Sequence, residues 1–165
     1  MSTGDVLRVA DVGEQCLGDL LRRYGLRLEV LEDTDSIRGS YWGDSEAGVV
    51  GHDVIVRRDT PVHSVLHEGC HVICMDCARR SALDRDAGGD DLEEAAVCYL
   101  QILLADAING VGRERLMQDM DAWGYSFRLG STRAWFDSDA GDAAGWLLDH
   151  ELIDAEGRPT FRLRG

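Results

Sequence analysis

The stretch from 91 to 107 most narrows what this chain can fold into. Leu92, Ala95, Ala96, Val97, Cys98, Tyr99, Leu100, Ile102, Leu103 and Leu104 recur with helical spacing and leave almost no polar face. A helix that is apolar nearly all round is buried among other elements. Asp90 and Asp91 suit its N-terminus, where the helix dipole favours negative charge. Asn109 and Gly110 break it.

A second feature sits upstream. Residues 67 to 71 read His-Glu-Gly-Cys-His, an HExxH pentapeptide. Positions i and i+4 of a helix lie one above the other on one face. His67 and His71 are therefore spaced to grip one metal ion through their imidazole nitrogens. Glu68 stands beside them, where it can act as general base on a water held by the metal. Asp59-Thr60-Pro61 announces the helix that carries the motif, predicted over about 61–76, with Thr60 as N-cap and Pro61 in the first turn. His63 lies one turn earlier. Some 12 Å would separate it from His71 along a helix, so it is expected at the rim of a site rather than on the same ion.

A catalytic zinc ordinarily takes three protein ligands and keeps one position open. The third ligand is expected from the buried helix, at Glu93 or Glu94. With about 100° per residue, Glu93 falls between Leu100 and Leu104, and Glu94 falls beside Gln101 on the only polar stripe. A buried carboxylate is costly unless it is paired or coordinated. That argument favours Glu93 as ligand and leaves Glu94 solvated.

The remaining pattern is mixed. Val6, Leu7, Val9, Ala10, Val12, Cys16, Leu17, Leu20 and Leu21 mark an amphipathic helix over 5–24, ended by Gly25. Residues 26–58 switch to short β-rich runs at 26–31, 39–43, 47–50 and 53–57, separated by turn residues, with Gly51-His52 as a tight turn. They predict a small antiparallel sheet of three or four strands. Residues 78–91 read as a polar loop. Beyond 110, a helix over 112–123 ends at Gly124, Tyr125 to Leu129 suggests a strand, a last helix covers 139–150, and a hairpin is built around Ala155 to Pro159. The fold class expected is α+β, a small antiparallel sheet packed on a helix bundle. One domain spans 1–165, with a core over about 26–108 and a C-terminal elaboration over about 110–165.

Composition removes several functions. With 44% hydrophobic and 29% charged residues, 165 residues suffice for one sizeable core. A net charge of −14 repels phosphate backbones, so no nucleic-acid partner is expected. The Arg57-Arg58 and Arg79-Arg80 pairs read as solvated turns. No apolar run is long enough to span a bilayer and the first residues lack signal-peptide character, so a cytoplasmic protein without membrane contact is expected. Five cysteines, with a single CxxC at Cys74 and Cys77, do not make a disulfide framework or a four-thiolate zinc site. Cys70 and Cys74 read as small buried helix residues. The acidic stretch from Asp84 to Asp91 lacks the ligand pattern of a calcium-binding EF-hand loop. His52 and His150 read as surface residues, and the four tryptophans as packing.

A sheet, then Arg57-Arg58-Asp59-Thr60-Pro61, then an HExxH helix, then Glu-x-Ala on a buried helix: this order resembles the ImmA/IrrE-type metallopeptidases of the gluzincin kind, over residues 26–105. The resemblance implies a zincin-like fold and Zn2+ held by His67, His71 and Glu93 (or Glu94). It also implies Glu68 as general base and a protein or peptide substrate. The chain departs from that pattern at Gly69-Cys70, where the family has Leu-Gly, in lacking the Asn after the Glu-Ala pair, and at Leu103-Leu104-Ala105-Asp106. The expected function is zinc-dependent hydrolysis of peptide bonds, with substrate held by strand addition along residues 53–57 and the oxyanion met by Tyr99, Tyr125 or His63. The alternatives are a catalytically inactive zincin-like module that binds a regulatory protein partner, its metal absent or closed by His63 or a cysteine of the Cys70–Cys77 cluster as fourth ligand, and a thiol redox protein using Cys74 and Cys77.

Overall fold

The computed structural model describes residues 6–39, 45–84 and 87–165. The elements among them are α1 (Val9–Val12), α2 (Glu14–Arg22), β1 (Arg27–Val30), β2 (Gly48–Val50), β3 (Asp53–Val56), α3 (Val62–Cys74), α4 (Cys77–Ser81), α5 (Asp91–Ala105), α6 (Gly112–Trp123), α7 (Thr132–Ser138) and α8 (Gly141–Asp149). The class is α+β.

Helix α5 is the axle of the fold. It lies against α3, α6 and α8. Ala96, Val97, Leu100, Ile102, Leu104 and Ala105 are all buried. Each buried Leu or Ile contributes about 1.5–3 kcal/mol relative to exposure. Asp90 caps the helix, its side chain accepting from the Glu93 N–H at 2.8 Å. The hydrophobic cluster around α5 runs from Val9 to Ile153, so the C-terminal helices share the core of the rest.

The sheet has the order β1-β3-β2. It is mixed rather than antiparallel. β1 pairs parallel to β3, with Arg27 opposite Asp53 and Val30 opposite Val56, while β2 pairs antiparallel to β3. Alternation along a strand reports which face is buried and carries no information on the direction of the neighbour. The tight turn at Gly51-His52 makes β2 and β3 a hairpin, and the long connection over 31–47 carries the chain across to β2. β3 is consequently the central strand, and Val54, Ile55 and Val56 are fully buried. Both its edges are occupied, so residues 53–57 cannot accept a peptide by strand addition. Part of β2's outer edge is also taken: the Val49 N–H donates to Gly39 O at 2.9 Å and Val50 bridges to Asp84. The β-run expected at 39–43 lies, apart from Gly39, outside the described residues, as do Arg85 and Asp86 of the acidic loop.

Other boundaries shift for local reasons. The first helix is split at Gly13, whose φ of +89° suits glycine and interrupts the helix. α3 begins one residue later than expected, because Pro61 has extended backbone and occupies the N-cap position. Thr60 instead accepts the Arg57 N–H at 2.9 Å, closing the turn after β3. Gly124 ends α6 in the left-handed conformation. No strand forms at 125–129. There Phe127 stacks on Trp135 of α7, an added helix, at 4.6 Å between centroids. The last hairpin is reduced to one bridge, Ile153 to Pro159.

The pair Arg79-Arg80 is not a solvated turn. Arg80 is buried and donates to Val72 O at 2.9 Å, Met75 O at 2.6 Å and Arg164 O at 2.9 Å, satisfying carbonyls at the end of α3. The Arg164 N–H in turn donates to Ile73 O at 3.0 Å. Residues near the end of the chain thus finish the helix that carries the HExxH sequence. Among the described residues, no helix is long and apolar enough to cross a membrane.

Candidate metal centre

α3 and α5 pack face to face. The i, i+4 pair His67 and His71 therefore meets the stripe Glu94, Cys98 and Gln101, which recurs at i, i+4 and i+7 on α5. Nε2 of His67 stands 3.0 Å from Glu94 Oε1, and Nε2 of His71 stands 2.9 Å from Glu94 Oε2. The two Nε2 atoms are 3.2 Å apart. His67, Glu94 and Cys98 each offer a ligand atom within 4.8 Å of the others, a group that could hold a metal ion.

Glu93 is elsewhere. The helical wheel places it on a buried face, and it is indeed only 3% exposed. Its carboxylate is neutralised by Arg79, through a two-pronged pair at 2.7 and 2.8 Å, and by Arg164 at 3.3 Å. Burial demanded a partner for Glu93, and guanidinium groups supply it in place of an ion. Glu94, assigned to solvent by the same wheel, keeps 45% of its side chain exposed yet bridges both histidines. The polar stripe it shares with Gln101 faces α3, not solvent. The signal for this was the spacing of Glu94, Cys98 and Gln101 itself, three polar groups in register with a histidine pair.

Gln101 is fully buried and fixes the imidazole of His67. Its Nε2 donates to the His63 carbonyl at 3.2 Å, which turns its Oε1 toward His67 Nδ1 at 2.6 Å. Nδ1 of His67 must carry a hydrogen to donate there, so Nε2 is the atom presented to the site. His71 is held differently. Its Nδ1 is buried and has no hydrogen-bond partner among the described residues.

The electrostatics follow from this crowding. Burial opposes charge on His67, but the Tyr125 hydroxyl, the Cys98 thiol and the Glu94 carboxylate outweigh it and raise its pKa well above the usual value. Burial likewise pushes Glu94 up, and hydrogen bonds from both imidazoles overcome it, holding the carboxylate well below its usual range. Glu68 is raised, first by burial and then by the neighbouring carboxylates Glu46 and Glu94, against the opposing pull of His67 and His71. Glu46 is itself fixed by Trp123 Nε1 at 2.9 Å and by Ser64 Oγ at 3.2 Å.

His63 is buried at the rim, its Nδ1 3.1 Å from the Tyr125 hydroxyl and its ring 5.1 Å from that of Trp123. Burial, then His67 and Arg8, push it down to about 3. The Tyr125 ring meets His67 edge-on at 5.6 Å. Tyr125 also lines a cleft of about 310 Å³ with Asp91, Glu94, Ala95, Cys98 and Trp135. Tyr99 stacks on Phe136 at 4.6 Å. The cysteines are all free; Cys70 and Cys74 are buried and Cys77 is exposed. His52 is exposed, and His150 is half-buried against Trp146.

The donor set could hold a metal ion: two imidazoles with inward Nε2 atoms, a carboxylate between them, a nearby thiol and a buried amide orienting one ring. No protein-family model matches the chain, and neither a curated protein nor a solved structure matches it.

Proposed function

We propose that this chain is a zinc-dependent hydrolase of peptide bonds, with His67, His71 and Glu94 as metal ligands and Glu68 as general base. The observation that carries the reading is the convergence of two Nε2 atoms and one carboxylate within 3.2 Å of one another, beside a carboxylate of raised pKa. When bound, zinc supplies Lewis acidity that acidifies water and polarises a carbonyl. Glu68 takes a proton at its carboxylate from the attacking water and passes it to the leaving amine. Its raised pKa brings it nearer to neutral pH, where it can serve in both directions. Gln101 keeps the His67 ring aimed. Tyr125 holds its proton, since burial raises its pKa, and its hydroxyl is the candidate donor to the developing oxyanion. Substrate in this reading is an extended protein segment entering along the cleft at Glu94 and Tyr125.

Cys98 favours a second reading, a non-catalytic module with a structural metal that binds a regulatory protein partner. Metal analysis and hydrolysis of a fluorescent unfolded protein separate the two. The first reading expects about one zinc per chain in the parent and in Glu68→Gln, with cleavage by the parent alone. Zinc without cleavage by the parent supports the second reading. No zinc uptake, or equal cleavage by Glu68→Gln, overturns the first.

A further inference from the structure

We infer that Cys98 is a fourth protein donor, so that the resting centre is a closed His-His-Glu-Cys site. The inference rests on the metal reading above and names the group that holds, at rest, the position left for water; hydrolysis then requires the Cys98 sulfur to yield that position, and a sulfur that never leaves it favours the non-catalytic module. Glu94 and Cys98 are one helical turn apart on α5, as His67 and His71 are on α3. His67, Glu94 and Cys98 form one group of donors, and His71 joins it through its contacts with Glu94 and His67. The Cys98 thiol lies within 4.8 Å of the donor atoms of His67 and Glu94. In a tetrahedral zinc site with Zn–N of about 2.0–2.1 Å and Zn–S of about 2.3 Å, neighbouring donors lie about 3.3–3.7 Å apart, so modest side-chain rotation brings the sulfur in. Cys98 is buried, and unlike Cys70 and Cys74 it borders the cleft.

His71 brings a second imidazole to the same space. It is 5% exposed, its Nε2 is turned toward Glu94 at 2.9 Å, and its Nδ1 has no hydrogen-bond partner among the described residues. An ion held between Nε2 and the carboxylate would take over that contact. On binding, the Cys98 S–H bond breaks, its proton leaves to solvent and the sulfur lone pair forms the bond to the metal. A thiolate donor also biases the site toward zinc over magnesium or calcium.

The test is cobalt(II) titration of the metal-free chain, read by absorption. The expected result is one equivalent bound with a near-ultraviolet sulfur-to-cobalt charge-transfer band. Cys98→Ala and Cys98→Ser should still bind cobalt but lose the band, and circular dichroism reports that each variant is folded. Serine keeps the size of the side chain should alanine impair folding. Cobalt bound without the band in the parent, or a band that persists in folded Cys98 variants, overturns the thiol ligand and leaves the three-donor site standing. Failure of every protein to take up cobalt overturns the metal reading together with it.

Discussion

Gln101 Oε1 stands 2.6 Å from Nδ1 of His67, and this contact decides which nitrogen of the histidine faces the site. A buried amide is costly to leave idle, and both ends of this one are used, the other on the His63 carbonyl. The amide thereby links the first turn of α3 to its histidine one turn on.

Replacing that amide should therefore weaken metal binding without removing a ligand. Gln101→Leu should lower zinc affinity by roughly 10–100-fold, measured by competition with a chromophoric chelator. Gln101→Glu, which keeps an acceptor toward Nδ1, should retain most of the affinity. Equal loss in both variants would show that the effect is packing and not orientation.

Glu93 and Glu94 should separate cleanly. Glu94→Gln should lose zinc while unfolding near the stability of the metal-free parent. Glu93→Gln should keep zinc but lose about 1–3 kcal/mol in denaturant unfolding, because Arg79 and Arg164 lose their carboxylate. Arg79 is partly exposed and can be rehydrated, which keeps the cost at that scale. Zinc lost from Glu93→Gln and kept in Glu94→Gln would reverse the assignment.

Stripping metal should lower thermal stability, since an ion that binds only the folded chain stabilises it by mass action. Excess chelator should lower the melting temperature of the parent and leave that of Glu94→Gln unchanged. A parallel drop in both would trace the effect to the chelator itself.

His63 should make the fold acid-sensitive. Its folded pKa is about 3 against an ordinary value of 6.5. Between those values the unfolded chain binds the additional proton, so stability rises with pH across this window and is lost as pH falls from 6.5 toward 3. The groups that set the shift are burial, His67 and Arg8. His63→Phe should show a shallower fall over that window in denaturant melts at a series of pH values. An unchanged slope would mean that His63 is already protonated in the folded chain.

Gly69 is explained by a neighbour. A Cβ there would meet Leu21 Cδ2 of α2 at 3.2 Å. Gly69→Ala should be close to neutral, since about 0.8–1 kcal/mol of helix propensity offsets a small shift of a flexible leucine. Gly69→Leu should destabilise by about 1–3 kcal/mol through overpacking, read from chemical denaturation.

The sequence announced the helix pair and the burial of Glu93 because both follow from periodicity, which is a local property. It did not announce the direction of the β1–β3 pairing, because side-chain alternation is the same for parallel and antiparallel neighbours. Nor did it announce Glu94. The wheel ranks faces by polarity, and a polar stripe reads the same whether water or another helix lies opposite. Choosing between the carboxylates required knowing that Arg79 would fold back onto Glu93. That contact spans 14 residues and depends on the short helix α4. Tyr125, one of three candidates, is brought against His67 by a turn after α6 and not by the expected strand, a placement that no local periodicity encodes.

Arg164 grips three points at once: Ile73 O and Cys74 O at the end of α3, and Glu93 at the start of α5. During synthesis the two donor helices emerge long before this residue does. A nascent chain must therefore carry α3 and α5 without their clasp until position 164 has cleared the ribosome. The α3–α5 pair then gains its final clasp only after α6, α7 and α8 have been made.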